Sequence, residues 1–512
     1  MKRVLISVSD KRGIVNFAKF LEENSYEIIS TGGTEKILKE AGIKTLNISD
    51  ITGFPEIMDG RVKTLHPNVH GGLLCVRDNP EHMKALLENN IELIDMVVVN
   101  LYPFKEALEK NSTHEELIEN IDIGGPSMLR SAAKNHRFVT VCVDPNDYRK
   151  IQEDIINYKD TTTETKNYLA AKVFRYTSAY DSLIANYLTS KLGDKFPEII
   201  TLSYEKVQNL RYGENPHQEA AFYKNSVSGF CLGDAEQLNG KELSFNNIQD
   251  TNAALQILKE FTEPTVVAVK HMNPCGVGSG SNLNLAWKRA FSADPISIFG
   301  GIIVANREIN EETAKEMSEL FLEIIVAPHF TDSALEVFSK KKNLRVLKLD
   351  LNKEVKNSLS ITNVCDGVLI QDMDSISNFK DTDISKLQCV TEKQPSEKEL
   401  EEMKFLWKIV KHVKSNAIVI GNGSQTFGVG AGQMNRVGAA KIALEQSREK
   451  AAGAFLASDA FFPMSDTVEL AAKYGIKGII QPGGSIKDKE SIDKCNEHGI
   501  IMLFTNRRHF KH

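Results

Sequence analysis

Short apolar runs of strand length alternate with segments of helical period, and no other feature of this 512-residue chain restricts its fold as strongly. The run RVLISV at 3–8 is followed by the turn Asp10-Lys11-Arg12-Gly13. Ile14, Phe17, Ala18 and Leu21 then recur at helical spacing. Residues 27–30 predict a second strand, which ends in Thr31-Gly32-Gly33-Thr34 ahead of a helix over 35–41. Residues 44–48, 95–100 and 137–143 predict further strands, and 164–191 a long helix. Apolar strands alternating with helices belong to a mostly parallel sheet covered on both faces. The fold class is therefore α/β.

A boundary is expected at about 193–208, from Gly193 through Pro197 to a polar stretch. This divides the chain into residues 1–199 and 200–512. A second α/β pattern follows it. Residues 264–269 predict a buried strand, and 296–305 contain another, broken by Gly300-Gly301. Residues 417–420 and 427–429 flank Gly421-Asn422-Gly423, which reads as a hairpin turn. Residues 437–450 predict a helix, and 454–457 and 476–481 two strands. The stretch 331–405 is more charged and less periodic, as expected of an inserted segment or a subdomain junction. Two α/β halves within 200–512 fit this pattern.

Charge excludes a general nucleic-acid footprint. Residues 1–195 hold 25 basic and 28 acidic side chains, and 196–512 hold 37 and 40, within a net charge of −6. Apolar residues 4–8 are too few for an export signal, and no run approaches the roughly 18 residues of a membrane span. Seven scattered cysteines without a CxxC pair fit a reduced, cytoplasmic protein.

Chemistry-bearing residues cluster where strands are expected to end. Thr31-Gly32-Gly33-Thr34 offers close backbone approach, hydroxyls and a helix N-terminus, all suited to a phosphate. A tight turn with Thr34 as helix N-cap is the equally weighted alternative. Ser7, Ser9 and Lys11 follow the first strand and could face the same anion. The segment GRVKTLHP places Arg61, Lys63 and Thr64 together, and Tyr102, Asp122 and Lys134 follow at later element ends. Each alone reads as structural; together they furnish a polar reaction site.

In the second part Lys270-His271 ends a buried run, where charge is costly unless paired or used. A neutral imidazole there can accept a proton near neutral pH. The following Met272-Asn273-Pro274-Cys275-Gly276 invites comparison with zinc deaminases. Those need HxE and PCxxC, whereas Asn273 stands for the acid and Gly278 for the second thiol, so no catalytic metal is expected. Arg211, Tyr212, Asn416, Arg436, Phe461 and Arg508 add arginines for phosphate and aromatic faces for a heterocycle.

The ordered motifs SVSDKRG, TGGT, GFPEIMDGRVKTLHP, NLYPF, IDIGG, AAKNH, RYGENPHQ, VKHMNPCG, GAGQMNR, SDAFFP and TNRRHF span nearly the whole chain. In this order they closely resemble the bifunctional purine-biosynthesis family that joins AICAR formyltransferase to IMP cyclohydrolase. The resemblance implies a methylglyoxal-synthase-like N-terminal domain. It also implies a C-terminal part of two cytidine-deaminase-like α/β subdomains without zinc. It implies formyl transfer from 10-formyltetrahydrofolate to AICAR, then closure of FAICAR to IMP, by a cytoplasmic homodimer whose transformylase site is built across subunits, with no nucleic-acid or membrane partner.

Carried across by motif, Lys270, His271 and Asn416 would be the transformylase catalytic residues. Lys63, Tyr102, Asp122 and Lys134 would be those of the cyclohydrolase. Nucleotide binding would fall to Ser7, Ser9, Lys11, Thr31, Gly32, Gly33, Thr34, Arg61 and Thr64 in one domain. In the other it would fall to Arg211, Tyr212, Gly300, Arg436, Phe461 and Arg508. Glu323 stands at a binding position where the family often has Asp. A nucleotide sensor would keep the phosphate loops but need neither Lys270-His271 nor Lys134. A metal-dependent deaminase is disfavoured by its missing ligands.

Overall fold

The computed structural model describes residues 1–227, 229–355, 359–374 and 387–512. The chain folds as two compact units, Met1–Tyr204 and Glu205–His512.

In the first unit five strands form one sheet: β1 (Lys2–Ser7), β2 (Tyr26–Ser30), β3 (Thr45–Asn47), β4 (Met96–Val99) and β5 (Thr140–Cys142). Their order is β3-β2-β1-β4-β5 and every pairing is parallel. Consecutive residues Val4, Leu5 and Ile6 are all buried, so both faces of the sheet are covered. Ile14, Phe17 and Leu21 of one helix, and Met128, Leu129 and Ala132 of another, belong to the same core. Strand order reverses between β1 and β4, and in open sheets ligands bind outside the carboxyl ends at such a crevice. Ser7 and Asn100 stand at those ends.

The second unit holds β6 (Tyr204–Leu210, begun in the last residue of the first unit), β7 (Ala220–Asn225), β8 (Glu236–Asn239), β9 (Thr265–Lys270) and β10 (Asn273–Ser279). After these come β11 (Ile302–Ala305), β12 (Ile324–Ala327), β13 (Arg345–Lys348), β14 (Leu359–Val364), β15 (Gly367–Asp372) and β16 (Gln388–Cys389). The last are β17 (Ile418–Asn422), β18 (Gln425–Gly430), β19 (Phe455–Ser458), β20 (Gly478–Gln481) and β21 (Ile501–Phe504). Twelve of them form one sheet, ordered β16-β21-β20-β19-β17-β18-β10-β9-β11-β12-β13-β8.

Read from either edge, this sheet is the same fold twice. Each half has an antiparallel edge strand, three parallel strands and an antiparallel hairpin. The halves join where β10 meets β18. Helices also correspond, with Phe245–Leu258 preceding β9 as Glu397–Val410 precedes β17.

Glycines allow each half to close. A Cβ on Gly276 would lie 2.1 Å from the Ala290 carbonyl oxygen, and one on Gly428 2.0 Å from that of Ala443. Both hairpins thus lie against the helix that follows them, at a distance only glycine permits.

Some sequence expectations shift. The second hairpin turns at Gly423-Ser424, because Asn422 continues β17 and its side chain accepts from the Ser424 and Gln425 amides. Within 296–305 only Ile302–Ala305 is strand. Gly300 has φ +72°, and Ile298 accepts the Gly301 amide in the preceding turn. The irregular stretch 331–405 holds the end of the first half, the separate β14–β15 hairpin and the start of the second half; 356–358 and 375–386 lie outside the described residues.

Gly428→Ala should lower the melting temperature of the second unit, since forcing a methyl against a helix carbonyl costs roughly 1–3 kcal/mol. Scanning calorimetry should show the first unit unaffected. Unchanged melting throughout would mean the helix moves away freely.

Candidate active sites

In the first unit the loop after β1 and the loop after β2 meet. Ser7 Oγ lies 2.9 Å from Thr31 Oγ1, and Lys11 Nζ donates to Thr34 Oγ1 at 2.7 Å and to the Val8 carbonyl. Burial lowers the Lys11 pKa from its ordinary value. The helix Gly32–Glu40 begins at Gly32 with Thr31 at its N-cap. Thr34 is therefore not the cap; its hydroxyl instead engages Val8 and Lys11. The result is a cation, hydroxyls and a helix N-terminus around one point, a setting for an anion.

Asn100 holds this loop in place. Its Oδ1 accepts the amides of Ser9 and Asp10 at 2.5 and 2.8 Å, and its Nδ2 donates to the Asp10 carbonyl at 3.3 Å. It is 7% exposed. Its one signal in the sequence is an amide directly after the apolar run DMVVV.

Lys63 connects the Thr31–Thr34 loop to the second cluster. Its Nζ would lie 3.5 Å from a Cβ on Gly32, and it sits 3.4 Å from Glu56 Oε2. Asp122 accepts the Gly125 amide at 2.8 Å, and the Tyr102 amide also bonds it. Burial raises the Asp122 pKa, against those bonds and the Lys63 charge. Thr64 Oγ1 would be 2.7 Å from a Cβ on Gly124, so the GRVKT segment reaches the same helix start as Asp122. Tyr102 is exposed beside it. Arg61 is exposed and paired with Glu119. Lys134 closes the helix Gly124–Lys134 and is exposed. At 1.5 Å per residue it stands about 15 Å from the end carrying Asp122.

In the second unit, Lys270 ends β9 and donates to the Phe299 carbonyl at 2.8 Å. His271 and Met272 form the turn with φ of 53° and 63°, an uncommon left-handed pair. Asp250 accepts the Met272 amide at 2.7 Å, and burial raises its pKa. One turn earlier on the same helix, Asn246 donates to the Glu214 carbonyl. This ties the loop carrying Arg211 and Tyr212 to the helix beneath His271. The Arg211 guanidinium lies 4.6 Å from the Tyr212 ring centre.

Asn273, at the start of β10, accepts the Lys414 amide at 3.1 Å, so the segment leading to Asn416 joins the same end of these strands. Asn416 Nδ2 donates to the Gln433 carbonyl and its Oδ1 accepts from Arg436, both at 2.7 Å. A groove of about 350 Å³ opens there, lined by Asn416, Gln433, Met434 and Phe510. Arg436 is buried and paired with the fully buried Asp459. Gly300 bonds back to Phe321, and Glu323 is paired with Arg345 at 2.7 Å. Phe461 is partly exposed, and exposed Arg508 lies over Phe510.

Burial pushes the Cys275 thiol up to about 12, away from the thiolate a metal site needs. Among the described residues no group of three or more His, Cys, Asp or Glu could hold a metal ion, and no helix is long and apolar enough to cross a membrane. A larger hollow of about 580 Å³ lies at the amino ends of β1 and β2. Its arginine is already paired with Glu27 and Glu92, so it is set apart from this chemistry.

Two polar clusters, one with an anion cradle and one that ties the Lys270-His271 turn to the Asn416 segment through Asn273 and Lys414, have the make-up of a two-site enzyme. Comparison with known proteins agrees. The MGS-like domain family matches residues 13–127, and the AICARFT/IMPCHase bienzyme family matches 132–446. Proteins described as "Bifunctional purine biosynthesis protein PurH" from Bacillus cytotoxicus, Bacillus mycoides and Halalkalibacterium halodurans are each 58% identical over 100% of both chains. A solved structure described as "Crystal structure of ForH" is 33% identical, covers 36% of this chain and 97% of its own, and has a TM-score of 0.32. The chain belongs to the AICARFT/IMPCHase bienzyme family, and so combines a formyltransferase with an IMP cyclohydrolase of purine biosynthesis.

A carboxyl whose pKa rises on folding carries a stability cost only where it ionises. That cost is absent in acid and appears as pH rises through the raised value. Asp122→Asn removes it. The melting temperature of the first unit, variant relative to wild type, should therefore be more favourable at pH 7 than at pH 4. Thermal denaturation showing the reverse trend would contradict this origin of the Asp122 shift.

Proposed function

We propose that residues 200–512 transfer a formyl group from 10-formyltetrahydrofolate to the 5-amino group of AICAR, giving FAICAR and tetrahydrofolate, and that residues 1–199 close FAICAR to IMP with loss of water. The observation that carries this reading is the meeting of the Lys270-His271 turn and the Asn416 segment at one end of the central strands, through Asn273 and Lys414.

The attacking amine is conjugated to an electron-poor ring and is a weak nucleophile. His271 takes its proton as the tetrahedral intermediate forms, and Lys270 stabilises the developing negative charge. Asn416 donates to the formyl oxygen. For ring closure the carboxamide nitrogen attacks the formyl carbon of the same molecule, so orientation supplies much of the rate. The cradle of Ser7, Lys11 and Thr31–Thr34 supports phosphate binding. Lys63 and Tyr102 stabilise the oxyanion, while Asp122 and Lys134 handle protons. On this reading the enzyme is a cytoplasmic homodimer. Lys134 would act from the far end of the helix Gly124–Lys134.

His271→Ala should lower formyl-transfer kcat roughly 10²–10⁴-fold, the range for loss of a general base, with nucleotide affinity less affected. Ring closure of supplied FAICAR should persist in the same purified variant. Near-normal formyl transfer would remove His271 from the mechanism.

Lys134→Ala should do the converse, slowing ring closure while AICAR is still formylated. FAICAR should then accumulate in a chromatographic time course. Wild-type cyclisation would show that Lys134 has been misassigned.

A further inference from the structure

The duplicated fold supplies an internal control on the formyl-transfer corner. In the first half Asn306 follows β11. Its amide donates to the Thr265 carbonyl at 3.3 Å, and its Oδ1 accepts the Thr265 amide at 2.8 Å. In the second half Asp459 follows β19. Its amide donates to the Ala417 carbonyl at 3.4 Å, and its Oδ1 accepts the Ala417 amide at 3.1 Å. The same two bonds make Asn306 and Asp459 equivalent. One residue before these partners, the Pro264 carbonyl accepts from Gly280 and the Asn416 carbonyl from Gln433. The helices after β10 and β18 are both capped by asparagine, Asn282 and Asn435, each accepting from the third residue onward. Leu283 therefore stands where the second half has Arg436.

We propose that the Asp459–Arg436 pair is a positioning device for Asn416 and not part of the framework. The first half builds the same corner with a neutral Asn306 and a buried Leu283. A buried ion pair is costly to desolvate, and replacing it by apolar side chains is often neutral for stability. What the pair adds is a grip on Asn416. Arg436 Nη2 donates to its Oδ1, while Asp459 holds Arg436 Nη1, the Ser415 hydroxyl and the Ala417 amide. Residues on both sides of Asn416 and its own carbonyl oxygen are thus fixed by one carboxylate and its partner.

The amide's orientation follows. A carboxamide has two N–H donors and one acceptor oxygen. With Oδ1 turned to Arg436 and one Nδ2–H given to Gln433, one donor is left, and a donor is what a formyl oxygen gaining negative charge requires. Flipped by half a turn, the amide would present its oxygen and repel that charge. Arg436 is 6% exposed with both terminal nitrogens engaged inside the protein, so it acts on substrate through Asn416.

This inference rests on the reading that Asn416 donates to the formyl group, and the test separates the two. Asp459→Asn with Arg436→Leu installs the first half's pair in the second. Formyl-transfer kcat should fall roughly 10²–10³-fold, as for a lost oxyanion donor. The KM for AICAR should stay within about threefold, which loss of a nucleotide-binding arginine would not allow. Ring closure and the melting of the second unit should match wild type. Adding the two changes to Asn416→Ala should cost nothing further in kcat, because their effect passes through Asn416. If Asn416→Ala alone formylates normally, the reading of Asn416 fails. If it is impaired but the double variant is not, the positioning role fails. Losses that multiply in the triple variant, a large rise in KM, or unfolding of the double variant would each assign the pair to binding or framework and overturn the proposal.

Discussion

Burial on both faces of the two sheets decides where charge can stand in this protein. Strand interiors such as Val4–Ile6 and Val266–Val269 offer no water and no polar partner, so an ionised group there would be very costly. Polar side chains are displaced to strand ends and to the loops beyond them. Both polar clusters follow from that displacement. In the first unit the crevice where strand order reverses gathers the ends of β1, β2 and β4. In the second the β9–β10 turn and the segment before β17 meet at one end of the central strands.

The two units solve a common problem in the same way. Chain at a strand end must be held still, and the backbone amides there need acceptors. Asn100 does this for Ser9 and Asp10, Asn306 for Thr265, and Asp459 for Ala417. In each case a short side chain one residue beyond a strand replaces the missing neighbour. The bond is local in space but joins residues 91, 41 and 42 positions apart.

That separation explains what the sequence could and could not reveal. The α/β class was legible because strand burial leaves unbroken apolar runs such as DMVVVN, and the phosphate loop because its glycines and threonines are contiguous. Lys270-His271 was visible as charge abutting an apolar strand. The duplication showed only as a second alternation of strands and helices over 200–512, since the halves share packing rather than residues. Its traces are Gly276 and Gly278 matched by Gly428 and Gly430, and asparagine at both helix caps. Arg436 was legible only as an arginine near a glycine-rich segment. Its inward direction depends on Asp459, 23 residues away. The hairpin turn was misplaced because Asn422 satisfies the turn with its side chain while its backbone remains strand.

The correspondence of Asn306 with Asp459, and of Leu283 with Arg436, bears on how a duplicated chain could have diverged. Asparagine and aspartate codons differ by one base, as do some leucine and arginine codons, so each exchange is open to a single base change. Neither is neutral alone, because a lone carboxylate or a lone guanidinium would be left buried without its counter-ion. The two sites are therefore bound by sign epistasis. Once both charges are present, each protects the other from reversion, and the second half is held to its specialised role by the cost of the intermediate.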